Sequence, residues 1–174
     1  MSEEQRHTEN DQKLSDAYER VLERIKDGAG ELSIERLQHE LDEAVEFERD
    51  VQEFTRDELS LLRVWVERDL REMRGYLAAG GESVANWLGI DFSQVSRRVA
   101  DALLSIADRS QIEREQLEDD LEASRADYVA GEMAIPGRMS CTHCEAQVAL
   151  DTLTRIEPCH QCGHRYFVRA SLGR

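Results

Sequence analysis

Cys141-Thr142-His143-Cys144 and Cys159-His160-Gln161-Cys162, joined by the fourteen residues Glu145 to Pro158, decide how this chain is read. They contain all four of its cysteines. Two residues between a pair of cysteines let both sulfurs turn toward one point. The connection is long enough for strand, turn and strand to bring the second pair back to the first. The pattern predicts a closed tetrahedral thiolate site in a zinc ribbon, with Cys141, Cys144, Cys159 and Cys162 as ligands and one Zn2+ per chain. Four cysteines leave no open position for water, so the metal is read as structural. Gly163 follows the last cysteine, where a tight knuckle needs a positive φ.

Other readings of the cysteines fare worse. Two disulfides need an oxidising compartment, and Met1-Ser2-Glu3-Glu4-Gln5 is polar and acidic, with no apolar run behind it for a signal peptide. A thioredoxin-like centre needs one Cys-x-x-Cys pair at a helix N-terminus inside a βαβ pattern, which is not present. Iron in a four-thiolate site is chemically possible, and zinc is preferred. His143, His160 and His164 lie in or beside the knuckles and are read as non-ligands, since four cysteines already complete the site.

Outward from the cysteines the texture changes at Gly131. The expected division is a disordered tail over 1–10, an acidic helical domain over 11–131 and the zinc ribbon over 132–174. Residues 1–132 carry 34 acidic and 17 basic side chains, a net of −17, and residues 133–174 carry 3 and 5, a net of +2. Four thiolates around one Zn2+ bring the ribbon close to neutrality. Nucleic-acid affinity rests largely on Lys and Arg neutralising phosphates, and this chain offers no net basic surface. No apolar stretch approaches the length of a membrane span.

Apolar residues recur at helical spacing through Leu14, Ala17, Tyr18, Val21, Leu22 and Ile25, with Gly28 and Gly30 as a stop. Ser33 is a good N-cap for a second helix bearing Ile34, Leu37, Leu41, Ala44, Val45 and Phe54. Thr55-Arg56-Asp57-Glu58 is a capping box opening a third, with Leu59, Leu62, Val66, Leu70, Met73 and Leu77 buried, ended by Gly80-Gly81. A short segment holds Trp87. Asp91-Phe92-Ser93-Gln94 then resembles a capping box before Val95, Val99, Leu103 and Ile106. A highly exposed last helix is expected through Ile112, Leu117, Leu121 and Tyr128. Gln147–Leu150 and Arg165–Arg169 read as strands. The fold class is mainly α: an antiparallel helical bundle or helical hairpins, followed by a small C-terminal β zinc ribbon.

Leu59 to Leu77, Ala85-Asn86-Trp87-Leu88, Gly131-Glu132 leading to Pro136-Gly137, and the two cysteine pairs with Gly163 and Phe167 together resemble the bacterial zinc-ribbon-containing proteins of the YbeL-like family. The resemblance spans residues 12 to 170. It implies a cytoplasmic helical body with a C-terminal zinc ribbon, in a family of unknown function, and it implies that Phe167 packs under the zinc site. Glu145 departs from it, standing where ribbons often have glycine.

No Ser-His-Asp arrangement, phosphate-cradling glycine loop or His-Glu-x-x-His motif is present, so an enzyme is not expected. A di-iron bundle needs two inward Glu-x-x-His motifs, and upstream of the cysteines only Glu4-Gln5-Arg6-His7 has that spacing. Trp65, Trp87, Tyr76 and Phe92 are read as core rather than as a binding site. The expected function is a cytoplasmic, non-enzymatic adaptor that binds other proteins. The alternative is a nucleic-acid-associated ribbon of transcription or translation machinery, which charge disfavours. In Arg165–Arg169, alternation sends Phe167 to one face and Tyr166 and Val168 to the other, an apolar face to be covered by the helical body or by a partner.

Overall fold

The Ser2 hydroxyl accepts the Gln5 backbone N–H at 3.3 Å, and the Gln5 side chain returns to the Ser2 N–H at 3.1 Å. This capping box starts helix α1 (Glu3–Asp27) in the computed structural model, which describes residues 2–110 and 128–172. The tail expected over 1–10 is thus helical from Glu3. The Ser-x-x-Gln cap and the two acidic residues of the first turn satisfy the free N–H groups there without any apolar burial.

Four more helices follow: α2 (Ile34–Val51), α3 (Arg56–Ala78), α4 (Val84–Leu88) and α5 (Arg97–Arg109). The caps read from sequence at Ser33 and Thr55 are formed. Asp91 instead caps a single 3-10 turn, Phe92–Gln94, and α5 begins five residues later under its own cap, Ser96. The helix expected through Ile112, Leu117 and Leu121 lies outside the described residues.

Helix α1 is the centre of the bundle and touches α2, α3 and α5. Arg20 reaches Glu48 and Lys13 reaches Glu53, so α1 and α2 are antiparallel. Asp42 with Arg63 and Gln38 with Glu67 make α2 and α3 antiparallel. Glu19 with Ser96 and Glu23 with Arg98 show that α5 runs parallel to α1. The long connection through α4 carries the chain across the bundle, which a short loop could not do. Leu14, Ala17, Tyr18, Val21, Leu22 and Ile25 are all buried, as their spacing predicts, and so are Trp65, Trp87 and Tyr76.

Six short strands follow: β1 (Tyr128–Val129), β2 (Met133–Ala134), β3 (Gly137–Cys141), β4 (Gln147–Leu150), β5 (Thr154–Arg155) and β6 (Tyr166–Arg169). One antiparallel sheet has the order β1-β6-β3-β4, and β2 pairs with β5. Tyr128, expected near the end of an exposed helix, is fully buried in β1 opposite Phe167. The ribbon therefore begins upstream of residue 132. A two-residue strand carries too little periodicity to be visible in sequence.

The ribbon is not a separate bead. Met133, Ile135 and Leu153 belong to the same apolar core as the helices. Gly89, at φ +72, caps α4 where a Cβ would stand 2.6 Å from the Ala170 carbonyl, so the chain after β6 lies directly against the helix end. No described helix is long and apolar enough to cross a membrane.

Candidate metal centre

Each cysteine pair sits in the same backbone turn. Cys141 N–H donates to the Ala146 carbonyl at 2.9 Å and Glu145 N–H to the Cys141 carbonyl at 3.0 Å. In the second pair Cys159 N–H donates to the His164 carbonyl at 2.9 Å and Gly163 N–H to the Cys159 carbonyl at 2.8 Å. Both turns need a left-handed residue just after the second cysteine. Gly163 supplies it at φ +71 and Glu145 at φ +60, the one non-glycine with positive φ among the described residues. The missing glycine thus leaves the knuckle intact and stores strain in it.

These turns bring Cys141, Cys144, Cys159 and Cys162 together, with all four sulfurs within 4.8 Å of one another. Sγ of Cys141 lies 3.7 Å from that of Cys162, and Sγ of Cys144 lies 3.6 Å from that of Cys159. A tetrahedron with metal–sulfur bonds of about 2.3 Å has an edge of about 3.8 Å, whereas a disulfide needs about 2.05 Å. The spacing fits a shared metal and fits no disulfide. The residues that would hold the ion are these four thiolates, and the ion would supply cross-linking rather than reaction chemistry, since the four sulfurs close the tetrahedron.

The electrostatics agree. The backbone amides of Cys162 and Gln161, aimed at Cys159, lower its thiol to about 6. The His164 amide pulls Cys162 down as well. Desolvation and the three neighbouring sulfurs outweigh it and push that thiol up to about 12. Four thiolates cannot ionise side by side without a dication among them.

The group of converging side chains is made of the four cysteines, and the histidines lie beside it. His143 and His164 face each other with ring centroids 5.3 Å apart, and His164 lies 5.6 Å from Tyr166. Among the described residues the four cysteines are the sole group of three or more His, Cys, Asp or Glu able to converge on an ion. Glu4 and His7 are exposed on the first turns of α1.

Strand β6 joins this centre to the helices. Phe167, opposite Cys141 in the ladder, is buried in a cluster with Cys141, Cys159, Tyr128 and Met139. Tyr166 and Val168 point the other way and are 48% and 42% exposed, so the helical body does not cover them. Two residues beyond Phe167, Arg169 passes into the bundle. Its guanidinium donates to the carbonyls of Pro136 and Ile135 at 3.2 and 3.3 Å and stands 4.3 Å above the Trp87 ring. It lies 3.4 Å from Glu72 and 3.5 Å from Asp69. Asp69 also accepts the Tyr18 hydroxyl and the Ile135 N–H, and Arg68 adds a second cation at 3.5 Å. Burial raises the Glu72 carboxyl above its ordinary range despite Arg169 beside it.

Sequence reasoning missed this buried cluster because Asp69 and Glu72 have their partner Arg169 about a hundred residues away in the chain. The available signal was Asp69 itself, lying on the apolar stripe between Leu62, Val66 and Met73.

Among curated proteins and among solved structures, nothing matches this chain. Residues 5–171 match the family described as zinc-ribbon containing domain. With its paired knuckles and four converging sulfurs, the chain belongs to the zinc-ribbon containing domain family.

Proposed function

We propose that this zinc-binding protein is a non-enzymatic cytoplasmic adaptor that works by contact with other proteins. The observation carrying this reading is the two-sided ribbon: one face is locked into the helical body through Arg169, while the other presents Tyr166 and Val168 to solvent. A metal site closed by four sulfurs offers no position for a substrate, so its role is to hold that face in shape. The body, at a net −17, favours cationic protein partners over phosphate backbones.

A second reading, association with nucleic acid, draws on the row His143, His164 and Tyr166, because unpaired bases stack on exposed aromatic rings. A photo-crosslinking residue placed at Tyr166 in living cells separates the two. Recurrent protein adducts that vanish with Cys141→Ser support the adaptor. Adducts made of RNA alone, or micromolar single-strand binding with steep salt dependence in fluorescence anisotropy, support the second reading instead.

A further inference from the structure

Strand β4 is an edge of the four-stranded sheet, bonded on one side to β3 and on the other to nothing among the described residues. We propose that β4 accepts an extended, cation-bearing segment of a partner protein as a fifth strand. This inference rests on the adaptor reading and names the surface and the chemistry of the partner.

Which backbone groups are free follows from the register. Cys141 N–H bonds directly across to Ala146, so the bonded pairs further along are Met139 with Val148 and Gly137 with Leu150. Gln147 and Ala149 therefore turn their N–H and C=O groups outward. The bonds on the far side of β3 agree: Arg138 and Thr142, of the same parity, bond toward β6 and its continuation. Natural edges are usually blunted by charge, proline or a bulge, and Gln147-Val148-Ala149-Leu150 has no charge or proline, and its register with β3 runs unbroken.

Charge selects the occupant. Glu145 and Asp151 stand exposed at the two ends of β4, and neither has an ion pair among the described residues. In a second copy, an antiparallel pairing of Gln147 with Ala149 would bring the acidic ends of the two edges, Glu145 and Asp151, toward each other. Like charges brought together across two strands are unfavourable, so that pairing with its own copy is disfavoured. A foreign strand with Lys or Arg at both ends would meet both carboxylates, while its intervening backbone pairs with Gln147 and Ala149. Its outward side chains would extend the row formed by Val168, Ser140 and Gln147.

The test uses the full zinc-loaded chain and the capped peptide Lys-Thr-Val-Thr-Val-Thr-Lys, read by amide hydrogen exchange. Slowed exchange at Gln147 and Ala149, with Val148 and Leu150 unchanged, is expected. Ala149→Pro removes an outward N–H while leaving the β3 ladder whole, and it should abolish the effect at unchanged zinc content. Gln147→Pro is the second variant should the first lose zinc. Glu145→Gln with Asp151→Asn should weaken binding about threefold to tenfold, as two exposed ion pairs allow. The proposal is overturned by unaltered exchange at Gln147 and Ala149 with millimolar peptide, or by equal binding of a peptide with Glu at both ends. A dimer in sedimentation that Ala149→Pro abolishes overturns it too, since the edge would then serve a second copy. Failure here with protein crosslinks from Tyr166 intact removes only this edge, whereas RNA adducts alone remove the adaptor reading itself.

Discussion

The Arg169 guanidinium on β6 lies 3.5 Å from the Asp69 carboxylate on α3, with both side chains shut off from solvent. Two residues earlier on the same strand, Phe167 packs against the sulfur-bearing Cys141 and Cys159. One four-residue strand thus carries the support of the metal centre and the anchor of the ribbon to the helices. Geometry at the cysteines and docking on the bundle are mechanically linked through β6.

Removing one partner of the anchor should be costly. Asp69→Ala leaves Arg169 buried with less compensation and also orphans the Ile135 N–H, a loss of about 3–5 kcal/mol. Urea unfolding measures the loss, and exchange of the Ile135 amide should accelerate while zinc is retained. A change below about 0.5 kcal/mol would show that the pair is incidental to docking.

The two faces of β6 should respond differently. Phe167→Ala removes a fully packed ring beneath the sulfurs, costing about 3–5 kcal/mol and weakening zinc retention in a competition assay. Tyr166→Ala with Val168→Ser should retain zinc and cost less than about 1 kcal/mol, since both positions are open to solvent. If the double variant loses zinc while Phe167→Ala keeps it, the faces are assigned the wrong way round.

Glu145→Gly should stabilise the first knuckle by about 0.5–1 kcal/mol, because φ +60 costs a side chain more than it costs glycine. Gly163→Ala should destabilise the second by a similar amount. The pair is compared by denaturant unfolding of the zinc-loaded chain. Destabilisation by Glu145→Gly would mean that the Glu145 side chain contributes more than its backbone strain removes.

The helical body was legible because its core follows one period: every apolar residue named on α1 from Leu14 to Ile25 is buried. The metal centre was legible because ligand spacing in a knuckle is local. What stayed hidden depends on partners far along the chain. Glu48, fully buried, is held by Arg20 of another helix, and Arg169 meets Asp69 a hundred residues away, so neither could be told from a surface charge. The start at Glu3 is a different case. Its Ser2-to-Gln5 cap was present in the sequence but lay in a stretch without apolar periodicity.

Acidification should act on two carboxylates with opposite sign. Burial raises Glu40, but bonds from Arg109 and Arg36 outweigh it and leave the carboxyl below its ordinary range. Its stabilisation is present above the ordinary carboxylate range and is lost as pH falls through the lowered value. Glu72 is raised, so its contribution is full below the ordinary range and is lost as pH rises through the raised value. Comparing unfolding against pH, Glu40→Gln should flatten the acid limb and Glu72→Gln the limb above it. Unchanged profiles in both variants would contradict this assignment.

A single metal held by four thiolates is tested most directly by X-ray absorption at the zinc edge together with elemental analysis of the native protein. The expected result is one zinc per chain in a shell of four sulfurs at about 2.3 Å, lost in Cys159→Ser. Iron in the native protein, a nitrogen ligand in the shell, or undiminished zinc in Cys159→Ser would contradict it.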